Sequence, residues 1–285
     1  MKKCGFVAVL GETNAGKSTL INRLVGQKVS IVSRKIQTTA SRIHGIVIRG
    51  ESQIILVDTP GFSKNEKNVQ LERTAWQACG ESDSILFLVD ASKKNFNNSI
   101  ALLKKIDDSR KISLLLNKID LVHKPKLLEL SQMLSKTRDF ENIFMISSLT
   151  GSGVDRVLDC LASALPEKEW LYGDDEITDS SMEKYASEIT REHIYHRIHQ
   201  EIPYLCVVKT ENLQNQADGS VKISQNIYVK NRAHRIIFLG RNGGKIKAIG
   251  KAAREELSSL LKREVHLFLH VLIDKSSRPT FGEVV

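Results

Sequence analysis

Gly11-Glu12-Thr13-Asn14-Ala15-Gly16-Lys17-Ser18 is a complete GxxxxGK[ST] loop, and it follows directly on the apolar run Phe6 to Leu10. Its glycines let successive backbone N–H groups curl around an anion, and the helix that follows adds the positive end of its dipole. Nucleotide phosphate is the ligand this implies. Lys17 would reach the β and γ phosphates, Ser18 would place its hydroxyl on Mg²⁺, and Thr19 completes the loop-to-helix turn.

Three further motifs follow, each at the end of an apolar run. Asp58-Thr59-Pro60-Gly61 closes Ile54 to Val57, about forty residues after Lys17. A carboxylate there holds the Mg²⁺ shell, and the Gly61 N–H faces the γ phosphate. Taken alone, DxxG recurs by chance in many chains; order and spacing give it weight. Asn117-Lys118-Ile119-Asp120 follows Ile112 to Leu116 and selects the base. The Asp120 carboxylate can accept both N1–H and N2–H₂ of guanine, whereas adenine offers an acceptor at N1 and no amino group at C2. GTP is therefore preferred over ATP, because a site built on paired hydrogen bonds rejects a ligand that leaves them unmade. The Lys118 stem would cover the base, and Asn117 would tie the base loop to the phosphate loop. Ser147-Ser148-Leu149 ends Ile143 to Ile146, where a backbone N–H would meet guanine O6. It departs from the usual Ser-Ala-Lys.

The γ-phosphate-sensing element falls in Gln37-Thr38-Thr39, within the polar stretch Ser33 to Arg42. A threonine that ligates Mg²⁺ and touches the γ phosphate orders such a loop until hydrolysis releases it. Thr39 is favoured over Thr38.

At 285 residues the chain exceeds what a five- or six-stranded nucleotide fold needs, so a second domain is expected. The nucleotide domain is placed at 1–168 and the second domain at 181–285, with a linker at 169–180 marked by the acidic stretch Pro166 to Asp179. Cys4, Cys79, Cys160 and Cys206 lack CxxC spacing, which fits reduced thiols rather than disulfides or zinc. No apolar run reaches a membrane span and no signal region precedes the loop at residue 11, so a cytosolic location is expected. His193, His196 and His199 spread over too much helix surface, with no nearby Cys, to suggest zinc.

Net charge is +9, and the last 105 residues carry 17 Lys and Arg against 11 Asp and Glu. Lys230 to Lys251 holds seven basic residues and no acidic one: Lys230, Arg232, Arg235, Arg241, Lys245, Lys247 and Lys251. A solvated helix face would also explain a charge run, but this one is interrupted by Gly240-Arg241-Asn242-Gly243. The pattern predicts a short helix over Ala233 to Leu239, with Ile236, Ile237 and Phe238, and a longer one over Lys245 to Leu261. Two helices joined by GxxG, with flanking cations and an apolar floor, form the groove by which KH modules clamp unpaired nucleotides. A helix over Met182 to Gln200 and strands over Tyr204 to Thr210, Val221 to Val229 and Val265 to Ile273 complete a three-stranded sheet backed by helices.

One nucleotide domain followed by this GxxG module resembles the Era family of ribosome-assembly GTPases. The match also covers Ser33-Arg34-Lys35, Thr190-Arg191-Glu192 and Glu201-Ile202-Pro203. The resemblance implies a mostly parallel Ras-like α/β GTPase domain and an α+β type II KH domain. It implies GTP and GDP as ligands, the 3′ end of 16S-type ribosomal RNA and the small ribosomal subunit as partners, a monomer, and peripheral contact with the inner membrane. Departures are Thr13 in place of Pro, Ala40 in place of Arg, and a shortened switch region between Phe62 and Asp83. Phe62 stands where Ras-like enzymes carry a water-orienting glutamine. Slow hydrolysis is expected, with Lys17, Thr39 and Asn14 as the catalytic set. Asn14 either ligates K⁺, as in related potassium-dependent GTPases, or braces the loop. A signalling GTPase whose second domain binds protein is the rival reading; an RNA-modification GTPase lacks a second catalytic constellation.

Overall fold

The computed structural model describes residues 1–32, 43–62, 69–198 and 202–274, which fall into two compact units, Met1–Asp179 and Ser180–Val285. Strands β1 (Lys3–Gly11), β2 (Ile43–Arg49), β3 (Ser52–Asp58), β4 (Ser84–Asp90), β5 (Ile112–Asn117) and β6 (Asn142–Met145) make the first sheet, in the order β2-β3-β1-β4-β5-β6. Only β2 runs antiparallel to its neighbour. The central strands are apolar without alternation because both faces are covered. Val7 and Val9 of β1 pack with α1 (Lys17–Val25) and α5 (Val154–Ala164) through Leu20, Leu24 and Leu158. Ala8 and Leu10 pack on the other face with α2 (Val69–Glu81), α3 (Asn97–Leu103) and α4 (Lys124–Ser135) through Ala75, Leu103 and Leu130.

This topology gathers the motifs. In a parallel sheet wound on both faces, the loops leaving the carboxyl ends of the strands converge on one edge. The loops after β1, β3, β5 and β6 are the ones that carry the four motifs.

The segment from Pro166 to Asp179 is bonded to the backbones of β1, the turn before β3, and β2. The Cys4 N–H donates to Pro166 O, the Trp170 indole to Glu51 O, and the Ile46 N–H to Ile177 O. His44 pairs with Asp179 at 2.6 Å, the last residue of the first unit.

The second unit contains α6 (Met182–Arg197), β7 (Cys206–Asn215), β8 (Val221–Val229), α7 (Arg232–Leu239), α8 (Gly244–Leu261) and β9 (Val265–Ile273). β8 pairs antiparallel with β7 and parallel with β9. Its burial alternates strictly, with Val221, Ile223, Gln225, Ile227 and Val229 buried. That face packs on Ile189, Ile194, Phe238, Ile249 and Leu257 of the helices. β7 extends five residues past the expected end at Thr210, through a register shift between Thr210 and Asn212. The polar composition of Glu211 to Asn215 hid this edge strand, whose outer side chains need not be apolar. Among the described residues no helix is long and apolar enough to cross a membrane.

Candidate functional site

The phosphate loop is held by its own backbone and by its neighbours. Gly16 sits at φ 101°, and a Cβ there would lie 2.4 Å from Asn117 Nδ2, so only glycine fits. Asn14 shares the left-handed region at φ 62°. Lys17 begins α1 and is buried; its Nζ donates to Gly11 O at 3.2 Å and Glu12 O at 3.0 Å. Burial draws its ammonium down to about 8, against the pull of the Asp58 carboxylate. This is a cation held over the loop with its charge only partly compensated, and an anion in the cradle would stabilise it.

Ser18 Oγ donates to Asp58 Oδ2 at 2.9 Å, although the two are forty residues apart. Ser30, also buried, donates to the same oxygen. This donor set is all oxygen, one carboxylate and hydroxyls, which suits Mg²⁺. Sequence reasoning missed Ser30. Nothing in its spacing marks it, because its role depends on a loop after α1 returning beneath β3. Thr39, the other expected Mg²⁺ ligand, lies outside the described residues, as do Gln37 and Thr38.

Beyond Asp58 the chain runs back along the phosphate loop. The Thr13 N–H donates to Phe62 O at 3.0 Å and the Phe62 N–H to Gly11 O at 3.2 Å. This brings Gly61 against the loop, with its ideal Cβ position 2.7 Å from Lys17 Nζ. Phe62 is buried and packs on Trp76 at 4.9 Å between ring centroids. Its side chain is a packing element with no polar atom to direct water.

Asn117 ties the loop after β5 to the loop after β1 and to the loop after β6. Asn117 Nδ2 donates to Ala15 O at 2.8 Å, and Asn117 Oδ1 accepts from the Ser148 N–H and hydroxyl at 2.9 and 3.0 Å. Ser147 is fully buried, and its Oγ accepts from the Thr150 N–H, while Leu149 is exposed. Arg23 of α1 donates to Ser148 O and Leu149 O and so anchors this loop. Lys118, at φ 65°, lays its stem toward β4 and pairs with Asp90 at 2.6 Å. Burial would raise the Asp90 carboxyl, but Lys118 and Ser92 outweigh it and hold it below the usual range. Asp120 stands exposed on the short 3₁₀ turn Ile119–Leu121. Glu12 pairs with Lys93 at 2.8 Å and accepts from Ser99. These partners keep its carboxyl below the usual range despite burial. Arg23, Asp90, Lys93 and Ser99 also escaped sequence reasoning, since each is far in sequence from the group it holds.

In the second unit, Gly240 has φ 70° and ψ −177°, and Gly243 has φ 72°. A Cβ on Gly240 would meet Lys245 Cβ at 2.6 Å, whereas one on Gly243 or Gly244 would point into open space. The turn leads straight into α8, an 18-residue helix whose first residue is Gly244. Arg232, Arg241, Asn242 and Lys247 are exposed around it and Lys245 is half-buried. Arg235 donates its Nε–H to Val271 O at 3.1 Å, and Lys251 pairs with Glu255 at 3.8 Å. Phe238 supplies the buried floor, while Ile236 is 61 % exposed. His193 is held by Glu256 at 2.7 Å across α6 and α8.

The comparisons with known proteins agree with both units. The profile described as a 50S ribosome-binding GTPase matches residues 6–118, and a KH-domain profile matches residues 201–278. GTPase Era of Rhizobium meliloti (strain 1021) is 46 % identical over 274 residues, covering 95 % of this chain and 88 % of the relative. GTPase Era of Erythrobacter litoralis (strain HTCC2594) is 44 % identical over 295 residues, covering 100 % and 97 %. A crystal structure of Era with MgGDPNP and nucleotides 1506–1542 of 16S ribosomal RNA aligns with a TM-score of 0.87 at 33 % identity, over 99 % of this chain and 97 % of that one. A variant of Aquifex aeolicus Era bound to GDP and AlF4⁻ aligns at 0.88 and 34 % identity, over 98 % and 97 %. With a GTPase site and a KH domain in this order, and this identity over nearly its whole length, the chain belongs to the Era family of GTPases.

Proposed function

We propose that this protein is a slow GTP hydrolase that acts as an RNA-loading switch, binding the 3′ end of small-subunit ribosomal RNA through its KH domain during assembly of that subunit in the cytosol. The observation that carries the nucleotide half is the Asn117 bridge. One amide joins Ala15 of the phosphate loop to Ser148 of the base loop, so the two ends of a guanine nucleotide are measured against each other. Backbone N–H groups of residues 11 to 19 would cradle the phosphates, Asp120 and Lys118 would take the base, and Lys17 would lie on the β and γ oxygens. Ser18, Asp58 and Thr39 would hold Mg²⁺, which neutralises phosphate charge when bound. Ser30 positions Asp58 for that task. Asn14 is read as a K⁺ ligand beside the phosphates, where a cation would offset transition-state charge as an arginine finger does.

The RNA half is supported by the glycine turn at the head of α8 and its cations, and by the solved Era complex with 16S ribosomal RNA. The sugar-phosphate chain would pass over Gly243 and Gly244, with Arg232, Arg235, Arg241, Asn242, Lys245, Lys247 and Lys251 around it. Crosslinking in cells with sequencing of the bound RNA is the test. Sites gathered at the 3′ end of the small-subunit ribosomal RNA are expected; sites scattered over messenger or large-subunit RNA would overturn this reading.

A further inference from the structure

The KH sheet has two faces, and the helices cover one. On the other, strand alternation and register place a small ordered set of groups. Asn226 of β8 lies opposite Lys209 of β7 and His270 of β9, and Ser224 lies opposite Phe268. Tyr228 stands four residues beyond Ser224 on the same face, about 13 Å along the strand. Phe268 is 48 % exposed, a large ring in water where burial would stabilise it. Each aromatic ring has a lysine over it: Lys209 Nζ lies 6.0 Å from the Tyr228 centroid, and Lys222 Nζ lies 5.6 Å from that of Phe268. The Tyr228 hydroxyl donates to Glu211 at 3.1 Å and accepts from Asn226 at 3.2 Å, which fixes its ring.

Two rings, each with its own cation, and an amide and an imidazole between them make up the composition of a single-strand stacking platform. Every base has a face to stack, and the lysines meet the backbone. A protein partner would be drawn by apolar area, and Leu272, 40 % exposed opposite Tyr228, adds some, but each ring here is accompanied by a lysine and only Tyr228 is bonded to an acid, Glu211. Charge complementarity therefore favours RNA. We infer that the outer face of the KH sheet is a second RNA-contact surface, which stacks unpaired bases on Phe268 and Tyr228 and holds the adjoining phosphates with Lys222 and Lys209. It rests on the reading that this domain binds RNA, and it extends the footprint from the GxxG groove to the opposite side of the domain.

The test uses the full chain and polyuridylate, which is unstructured, with binding followed by fluorescence anisotropy over a salt series. Phe268→Ala is expected to weaken binding roughly tenfold, the value of one base stack, and Phe268→Tyr to retain it. Lys222→Gln should lower the salt slope by about 0.7. Gly243→Asp, which disables the groove, should leave residual binding that Phe268→Ala then removes. Melting by circular dichroism confirms that each variant is folded, which Phe268 permits because its ring is half in solvent. If Phe268→Ala binds as the parent does while Gly243→Asp loses binding, the sheet surface is wrong and the groove stands. If Phe268→Ala instead abolishes a concentration-dependent dimer without altering RNA affinity, the face is a contact between copies of this chain and the inference falls. Loss in Phe268→Ala with no effect of Gly243→Asp would keep the sheet surface and remove the groove.

Discussion

At the scale of single residues, chemistry is set by what each side chain faces, and three of them carry predictions. Asp120 is an exposed carboxylate, proposed to accept the paired donor edge of guanine. Asp120→Asn should weaken GTP binding by several kcal/mol and leave the fold intact, while xanthine nucleotide recovers part of the loss; titration with both nucleotides checks it. Lys17 is drawn down to about 8 by burial, and a bound phosphate would raise it. Between those two values, binding takes up a proton, so GDP affinity should fall as pH rises through about 8 and be insensitive to this group below it. Calorimetry in buffers of different ionisation heat should show proton uptake above pH 8 and none near neutrality. Asn14 is the third. Turnover should be faster in K⁺ than in Na⁺ at equal ionic strength, within the slow range of roughly 10⁻⁴ to 10⁻² s⁻¹ for unassisted GTPases, and Asn14→Ala should erase the difference while still binding GTP. Equal rates in both salts for the parent would leave Asn14 a structural residue.

At the scale of elements, the glycines of the short turn between α7 and α8 differ in what surrounds them, and the proposed function gives them separable tasks. Gly240 occupies a backbone region open essentially to glycine alone, and its missing Cβ makes room for Lys245. Gly240→Ala should therefore destabilise the KH domain by about 1–3 kcal/mol, read as a shift in its denaturant midpoint. Gly243 and Gly244 face open space, and under the proposed RNA reading their smallness would leave the phosphate path clear. Asp is tolerated in the left-handed region at 243, as Asn242 already is at φ 50°, and Gly244 has ordinary helical angles. Gly243→Asp or Gly244→Asp should leave the melting curve nearly unchanged and abolish groove binding by placing a carboxylate against the phosphate path. A groove variant that binds RNA as tightly as the parent would contradict that role.

At the scale of the whole molecule, two units with separate hydrophobic clusters should melt as two transitions. Both tryptophans, Trp76 and Trp170, lie in the first unit, so tryptophan fluorescence follows that unit alone. GDP with Mg²⁺ at a hundred times its dissociation constant should raise the fluorescence transition by roughly 5–10 °C. The remaining far-UV transition of the KH domain should stay where it was. A common shift of both would show that the two units unfold together.

Much of this is legible in the sequence alone. The four nucleotide motifs are local: each needs a few residue types at fixed spacing after an apolar strand, and the parallel topology then follows from alternating strands and helices. Helices α7 and α8 and strands β8 and β9 were readable for the same reason, because burial on one face writes a period of two or 3.6 into the chain. Strand β4, central and buried on both faces, has no alternation to announce its partner, and its place between β1 and β5 is a tertiary fact. So are the Ser30 bond to Asp58, the Arg23 brace on residues 148 and 149, the pairing of Lys118 with Asp90, and the course of residues 166–179 along the sheet edge. Each joins groups at least 28 positions apart, and no spacing rule links residues that meet only because a sheet has closed between them. The same holds for the division of labour between Gly240 and Gly243. Both are glycines of one motif, and only the packing of Lys245 against the first tells them apart.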